Sequence, residues 1–284
     1  MENVEPFKSA KERIVFISQF FFCLGIIGIG LQQFIYSNFI PVMLPGWPSW
    51  IPGRSACAFF LGAFLISAGV LIIMKKHPRI VATRLGIMFI LLFLFTLILQ
   101  FAQNKIINLL NLGIWTNTFK EFAFCGSAFV VAASLPQGKP HEVSIIEKIE
   151  NKLISFGKFP LAIMVVIFGI DHFIYIVLVS SLIPAWIPGH LFLTYFSGAA
   201  LIASGIGIIL NIKARLAATM LGSMMFIWVI ILHIPRAIAD PTVNMGNEWT
   251  TVFEVLGFSG IAFILGQSLP LFNSGKALNF SERS

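Results

Sequence analysis

Residues 33 to 36 read Gln-Phe-Ile-Tyr and return at 172 to 175 as His-Phe-Ile-Tyr; Trp50-Ile51-Pro52-Gly53 returns as Trp186-Ile187-Pro188-Gly189. At that second spacing Gly62, Gly69, Arg79, Thr83 and Gly86 meet Gly198, Gly205, Arg215, Thr219 and Gly222, and two residues closer Trp115, Phe119, Gly126 and Pro136 meet Trp249, Phe253, Gly260 and Pro270. One supersecondary unit has been duplicated along almost the whole chain, with small changes in loop length between copies. Any fold must therefore be built twice, and the copies can be compared position by position. Where the second copy has Asp171, His172, His190, His233, Arg236 and Glu254, the first has Gln32, Gln33, Arg54, Leu97, Gln100 and Lys120. The second half is where a site is expected.

The environment follows from composition. Hydrophobic residues make up 57% of the chain and charged residues 11%, far from the balance of a water-soluble domain. Apolar runs of roughly 20 residues, the length that crosses about 30 Å of hydrocarbon, occur four times per copy, near 14 to 37, 55 to 74, 80 to 101 and 118 to 135, then 160 to 182, 190 to 210, 214 to 234 and 250 to 269. Backbone in lipid must satisfy its own hydrogen bonds, so these runs are expected to be helices. The expected class is all-α: a polytopic membrane protein with eight transmembrane helices arranged as two parallel-repeat four-helix bundles. Residues 1–136 form the first repeat, 137–159 a joint and 160–284 the second repeat.

Fifteen of the 19 Lys and Arg residues fall on one side of this topology, leaving Arg54, Lys105, Lys120 and Arg236 on the other. By the positive-inside rule both termini and the joint are expected in the cytoplasm. The net charge of +7 thus reports topology, and nothing supports nucleic-acid binding. In the joint, Ile145, Ile146, Ile149, Leu153 and Phe156 share one helical face opposite Glu147, Lys148, Glu150 and Lys152, the pattern of a helix lying at the membrane surface. Two proline-rich stretches, 41–48 and 183–189, are expected to be stiff caps over their bundles, because proline fixes φ and removes a donor. Cys23, Cys57 and Cys125 stand singly in apolar segments and read as buried, inert thiols. Gly62 and Gly69, like Gly198 and Gly205, are seven residues apart and so share a face on which helices can approach closely.

Asp171 and His172 lie roughly 17 Å along the fifth span at 1.5 Å per residue. His233 and Arg236 end the seventh span three residues apart, on one face and flanking Pro235; Glu254 is near the start of the eighth, and His190 opens the sixth. All six are at similar depth on four helices. An unpaired ionisable group in a membrane costs on the order of 3 kcal/mol, so they are expected to face inward and pair. The bland alternative is a salt-bridged plug that only pins helices. A metal centre is disfavoured by the arginine within the set and by the absence of an H-x3-H or E-x2-H pair. Haem held by two histidines has no attachment motif to support it.

Gly169-Ile-Asp-His172-Phe-Ile-Tyr175, Pro184-Ala-Trp-Ile-Pro188-Gly-His190, Tyr195-Phe-Ser-Gly198, Lys213-Ala-Arg215, Leu232-His-Ile-Pro-Arg236 and Asn247-Glu-Trp249-Thr followed by Glu254 resemble the DoxX-like membrane proteins. The likeness covers 160 to 270 well and 14 to 136 in eroded form. It implies a four-helix membrane unit, a bacterial cytoplasmic (inner) membrane setting and a link to quinone-dependent oxidation. This chain departs from that pattern in fusing two units, one of them without the histidines. The expected function is a redox-accessory or quinone-interacting subunit, with quinone as ligand and a membrane redox complex as partner. The alternatives are a structural or assembly partner of a membrane complex, and a binding or carrier protein for a small lipophilic or anionic solute.

Overall fold

The computed structural model describes residues 9–44, 47–48, 51–136 and 145–272. Trp50 of the repeated Trp-Ile-Pro-Gly, the joint before residue 145 and the basic residues Lys8, Lys139, Lys276 and Arg283 lie outside the described residues. The described residues are helical and contain no strand.

In chain order the helices are α1 (Ala10–Tyr36), α2 (Arg54–Ile73), α3 (Pro78–Gln103), α4 (Ile106–Leu109), α5 (Thr116–Ala133), α6 (Ile145–Phe156), α7 (Lys158–Ile174), α8 (Ile176–Ser181), α9 (His190–Ile209), α10 (Ala214–Trp228), α11 (Ile234–Ala239) and α12 (Val243–Phe272). A 3-10 turn at Leu112–Trp115 leads into α5, and a π-helical turn at Val229–His233 joins α10 to α11. The boundaries have local causes. Ser9 caps α1 by accepting from the Glu12 amide at 3.2 Å, satisfying an amide that the first turn leaves unpaired. Pro78 opens α3, where its missing N–H costs nothing. The two tight turns are built alike: Lys75 and His77 have φ of 56° and 48°, and their counterparts Asn211 and Lys213 have 58° and 44°.

Among the described residues, seven helical stretches are long and apolar enough to cross a membrane: α1, α2, α3, Glu147–Ile174, α9, Ala214–Ala239 and Val243–Leu269. The fourth expected span, 118 to 135, appears as α5, which is not among them. Its opening turns hold Thr116, Asn117, Thr118, Lys120 and Glu121, and every residue from Ala123 to Ala132 is buried. A helix wrapped by other helices does not need a lipid-facing apolar surface. The fifth expected span, 160 to 182, also differs: it breaks at Tyr175, whose backbone (φ −106°, ψ 37°) leaves the helical region before α8 starts. At its other end it runs close behind α6, part of whose expected surface face is packed, with Leu153 against the core and Ile149 and Phe156 exposed.

Packing follows chain order around a closed ring: α1 on α2, α2 on α3, α3 on α5, α5 on α7, α7 on α9, α9 on α10, α10 on α12, and α12 back on α1. α5 and α12 also touch across the middle. The four-helix units expected at 1–136 and 160–284 therefore share their interfaces. The first helix of each unit packs against the last helix of the other, and each lobe of the ring contains both α5 and α12.

Glycines make these contacts possible, and equivalent glycines do so in equivalent ways. A methyl group on Gly62 of α2 would come within 2.8 Å of the Gly30 carbonyl on α1; one on Gly198 of α9 would meet His172 and the Gly169 carbonyl of α7 at 2.8 and 3.0 Å. Gly126 of α5 lies on Gly157 and Pro160, and its counterpart Gly260 of α12 lies on Ser18 and Phe21. The arginines repeat as well: Arg79 donates to the Ala132 carbonyl at 3.0 Å, and Arg215 to the Gly266 carbonyl at 3.2 Å.

Candidate functional site

A cavity of about 590 Å³ occupies the second lobe. Its wall is mainly apolar, built by Met164, Phe168, Leu201, Met225, Trp228 and Phe258 among others from α7, α9, α10 and α12. Asp171, His172, His233 and Glu254 all line it, four of the six residues singled out in the sequence. The other two do not. His190 turns back on the proline-rich cap, its Nε2–H donating to the Pro184 carbonyl at 3.2 Å. Arg236 grips Glu248 with two parallel bonds, Nε to Oε2 at 2.9 Å and Nη2 to Oε1 at 2.7 Å, while Nη1 donates to the Leu182 carbonyl at 3.0 Å. A bidentate guanidinium–carboxylate pair has fixed geometry. Here it ties α11 and the start of α12 to Leu182, the residue after α8, which is on the cavity rim.

The first copy contributes directly to this site. Lys120 of α5 lines the cavity and pairs with Glu254 at 2.8 Å, with the carboxylate all but fully buried. In the repeat read from the sequence Lys120 and Glu254 are corresponding residues, and here the one from the first half pairs with the one from the second. The loop before α5 also reaches the rim: the Tyr175 hydroxyl donates to Asn111 Oδ1 at 2.8 Å and accepts from the Gly113 amide at 3.1 Å.

Two local departures from regular helix shape the wall. Pro235 has no N–H to offer the carbonyl four residues back, and the helix widens into the π turn Val229–His233, which brings Leu232 and His233 to the cavity. The first copy has Leu99 in place of Pro235, and α3 runs as regular helix to Gln103. The break at Tyr175 swings α8 to the rim, where Leu178 and Val179 line the opening. In the first copy α1 is unbroken to Tyr36, and the following segment packs inward instead, with Ile40, Val42, Met43 and Leu44 all buried.

The first lobe is polar in its own way. Gln32 donates to the Gly246 carbonyl at 2.9 Å and accepts from Thr250 at 3.0 Å; Gln100 donates to the Ile114 carbonyl at 3.1 Å, the place that Glu248 takes beside Arg236. Gln33 is fully buried with neither end of its amide bonded, and Leu97 is half-buried. This lobe also holds Glu121, a fully buried carboxyl that was not singled out in the sequence and that accepts from Thr96 at 3.0 Å. The sequence signal was present, since Glu121 directly follows Lys120 in an otherwise apolar segment. Cys23 and Cys125 are buried as expected, whereas Cys57 is exposed near the start of α2.

Among the described residues, no three His, Cys, Asp or Glu side chains come together closely enough to hold a metal ion. The cavity's polar groups are spread around an apolar chamber, an arrangement suited to holding a small molecule with one polar end. No protein-family model matches the chain, and neither a curated protein nor a solved structure is found to be similar to it.

Proposed function

We propose that this is a multi-pass membrane protein that binds a small lipophilic molecule with a polar head in its second lobe. In this reading α5 is an eighth crossing, the two repeats run parallel with both termini in the cytoplasm of a bacterial inner membrane, and the cavity lies toward the outer face. The observation that carries it is the 590 Å³ apolar chamber with Asp171, His172, His233 and the Lys120–Glu254 pair on its wall. Apolar walls take up a hydrocarbon body, and a few placed polar groups orient the head. A quinone-class molecule has this make-up, and the resemblance of residues 160 to 270 to DoxX-like proteins supports it. The chain would then serve as the quinone-interacting, redox-accessory subunit of a membrane complex.

The test is chemical identification of what accompanies the protein. Purified in mild detergent, the wild type should retain a lipophilic small molecule at near one per chain by mass spectrometry, and His172→Gln should lose it while keeping its helical content. Retention of only bulk phospholipid by the wild type would overturn the reading. A structural role in assembling a membrane complex is the second reading, favoured by the Lys120–Glu254 and Arg236–Glu248 pairs, which lock helices of different repeats or different segments together. It expects a partner chain to co-purify and the His172→Gln variant to keep it.

A further inference from the structure

The polar atoms of the cavity differ in how far their hydrogen-bonding capacity is met. Apart from Ser197, its hydroxyls have committed their protons: Thr116 donates to the Gly113 carbonyl at 2.8 Å, Thr194 to the His190 carbonyl at 2.8 Å, Thr251 to the Asn247 carbonyl at 3.0 Å and Tyr175 to Asn111. Each therefore offers the chamber only lone pairs. The His172 ring is fixed similarly. A backbone carbonyl only accepts, so Nδ1 carries the hydrogen in its 2.7 Å bond to Phe168, and Nε2 of the neutral ring is an acceptor. The unmet need is concentrated in three buried atoms of the lining without a protein partner: Asp171 Oδ1, Glu254 Oε1 and Ser197 Oγ. Two are carboxylate oxygens. Glu254 uses its other oxygen on Lys120, so its charge is balanced while Oε1 stays unbonded.

Buried acceptors left unpaired are costly, and carboxylate oxygens more than most, so the chamber is complementary to a head that brings hydrogen-bond donors. Lys120 decides which kind. Its ammonium on the same wall would repel a cationic head at short range in a low-dielectric site, and a neutral hydroxyl meets no such penalty. We infer that the second-lobe cavity selects hydroxyl-bearing lipophiles, such as a phenol or the reduced, hydroquinone form of a quinone, over their carbonyl or ether counterparts, with Asp171, His172 and Glu254 accepting from the head. The inference rests on the lipophile-binding reading above and narrows it.

The experiment uses two redox-silent probes of nearly equal size, 4-nonylphenol and its methyl ether 4-nonylanisole, titrated into the purified full-length protein in detergent. The wild type should bind the phenol at least tenfold more tightly than the ether. In Asp171→Asn and in Asp171→Ala, each of which removes a carboxylate acceptor, the phenol's affinity should fall and the ratio shrink; two variants guard against one that fails to fold. Equal binding of both probes by the wild type, or tighter binding of the ether, would overturn the donor selectivity and leave lipophile binding standing. Failure of both probes to bind would instead overturn the lipophile reading itself, and the selectivity with it.

Discussion

Lys120 and Glu254 hold the same place in their respective copies, and they meet because each copy lends its last long helix to the other. One side of this contact is basic and the other acidic. Glu254 is all but fully buried and Lys120 largely so, hence removing one partner leaves an isolated buried charge. Lys120→Met is expected to destabilise the protein by about 3–5 kcal/mol, the usual consequence of breaking a buried pair from one side. The exchange Lys120→Glu with Glu254→Lys should recover most of that loss, because the two positions are related by the repeat. Thermal unfolding in detergent checks both, and a double exchange no more stable than Lys120→Met would mean that the surroundings of the two residues have diverged. Arg236 presents a different case: Gln100 in its place donates to the Ile114 carbonyl and accepts from Asn104 on its own helix end, whereas the guanidinium binds Glu248 and the Leu182 carbonyl and so fastens the cavity rim.

At the scale of single helices, the interfaces are set by residues too small to hold each other apart. Without a hydrophobic drive between helices in lipid, close backbone approach supplies the packing energy. Gly198→Leu or Gly205→Leu is expected to disrupt the bundle, since even a methyl group at these positions would come within 3 Å of α7. Leucine in place of the exposed Ile206 on the same helix should be tolerated. Folded yield by size-exclusion chromatography separates these outcomes, and equal tolerance would place the glycines on a lipid face. That close-approach face was readable in the sequence because glycine spacing carries it directly, as was the existence of the long helices. The breaks at Tyr175 and at Val229–His233 were not. Tyr175 lies in a motif nearly identical to that ending at Tyr36, where the helix is regular, so the local sequence does not distinguish them. A proline such as Pro235 bends a helix, but nothing local says that the helix widens before it and carries His233 to the cavity.

The closed ring of helices is the property least visible in the chain. Repeated motifs show that a unit occurs twice and say nothing about which copy each helix packs against; α1 on α12 and α5 on α7 follow from contacts that no local pattern records. The same gap explains why Asp171, His172, His233 and Glu254 were found by comparing copies while Lys120, Asn111 and Gly113 were not: the latter lie in the half that looked vacant. Orientation in the membrane has a direct test. With Cys23, Cys57 and Cys125 replaced, Pro140→Cys and Asn244→Cys should react with an impermeant maleimide from opposite sides, and reaction from one side only would end the eight-crossing topology. The exchange of helices between copies makes a further prediction. If each copy were a self-sufficient bundle, fragments 1–140 and 141–284 expressed separately would each fold, and together they would ignore one another. In the ring, a severed chain still has the α1–α12 and α5–α7 interfaces, with Gly126 against Gly157, Gly260 against Ser18 and the Lys120–Glu254 pair, to join the pieces. The co-expressed fragments should therefore co-purify as a one-to-one complex, and each expressed alone should be degraded or aggregate. Two fragments that are stable singly and do not associate would show that the copies close on themselves.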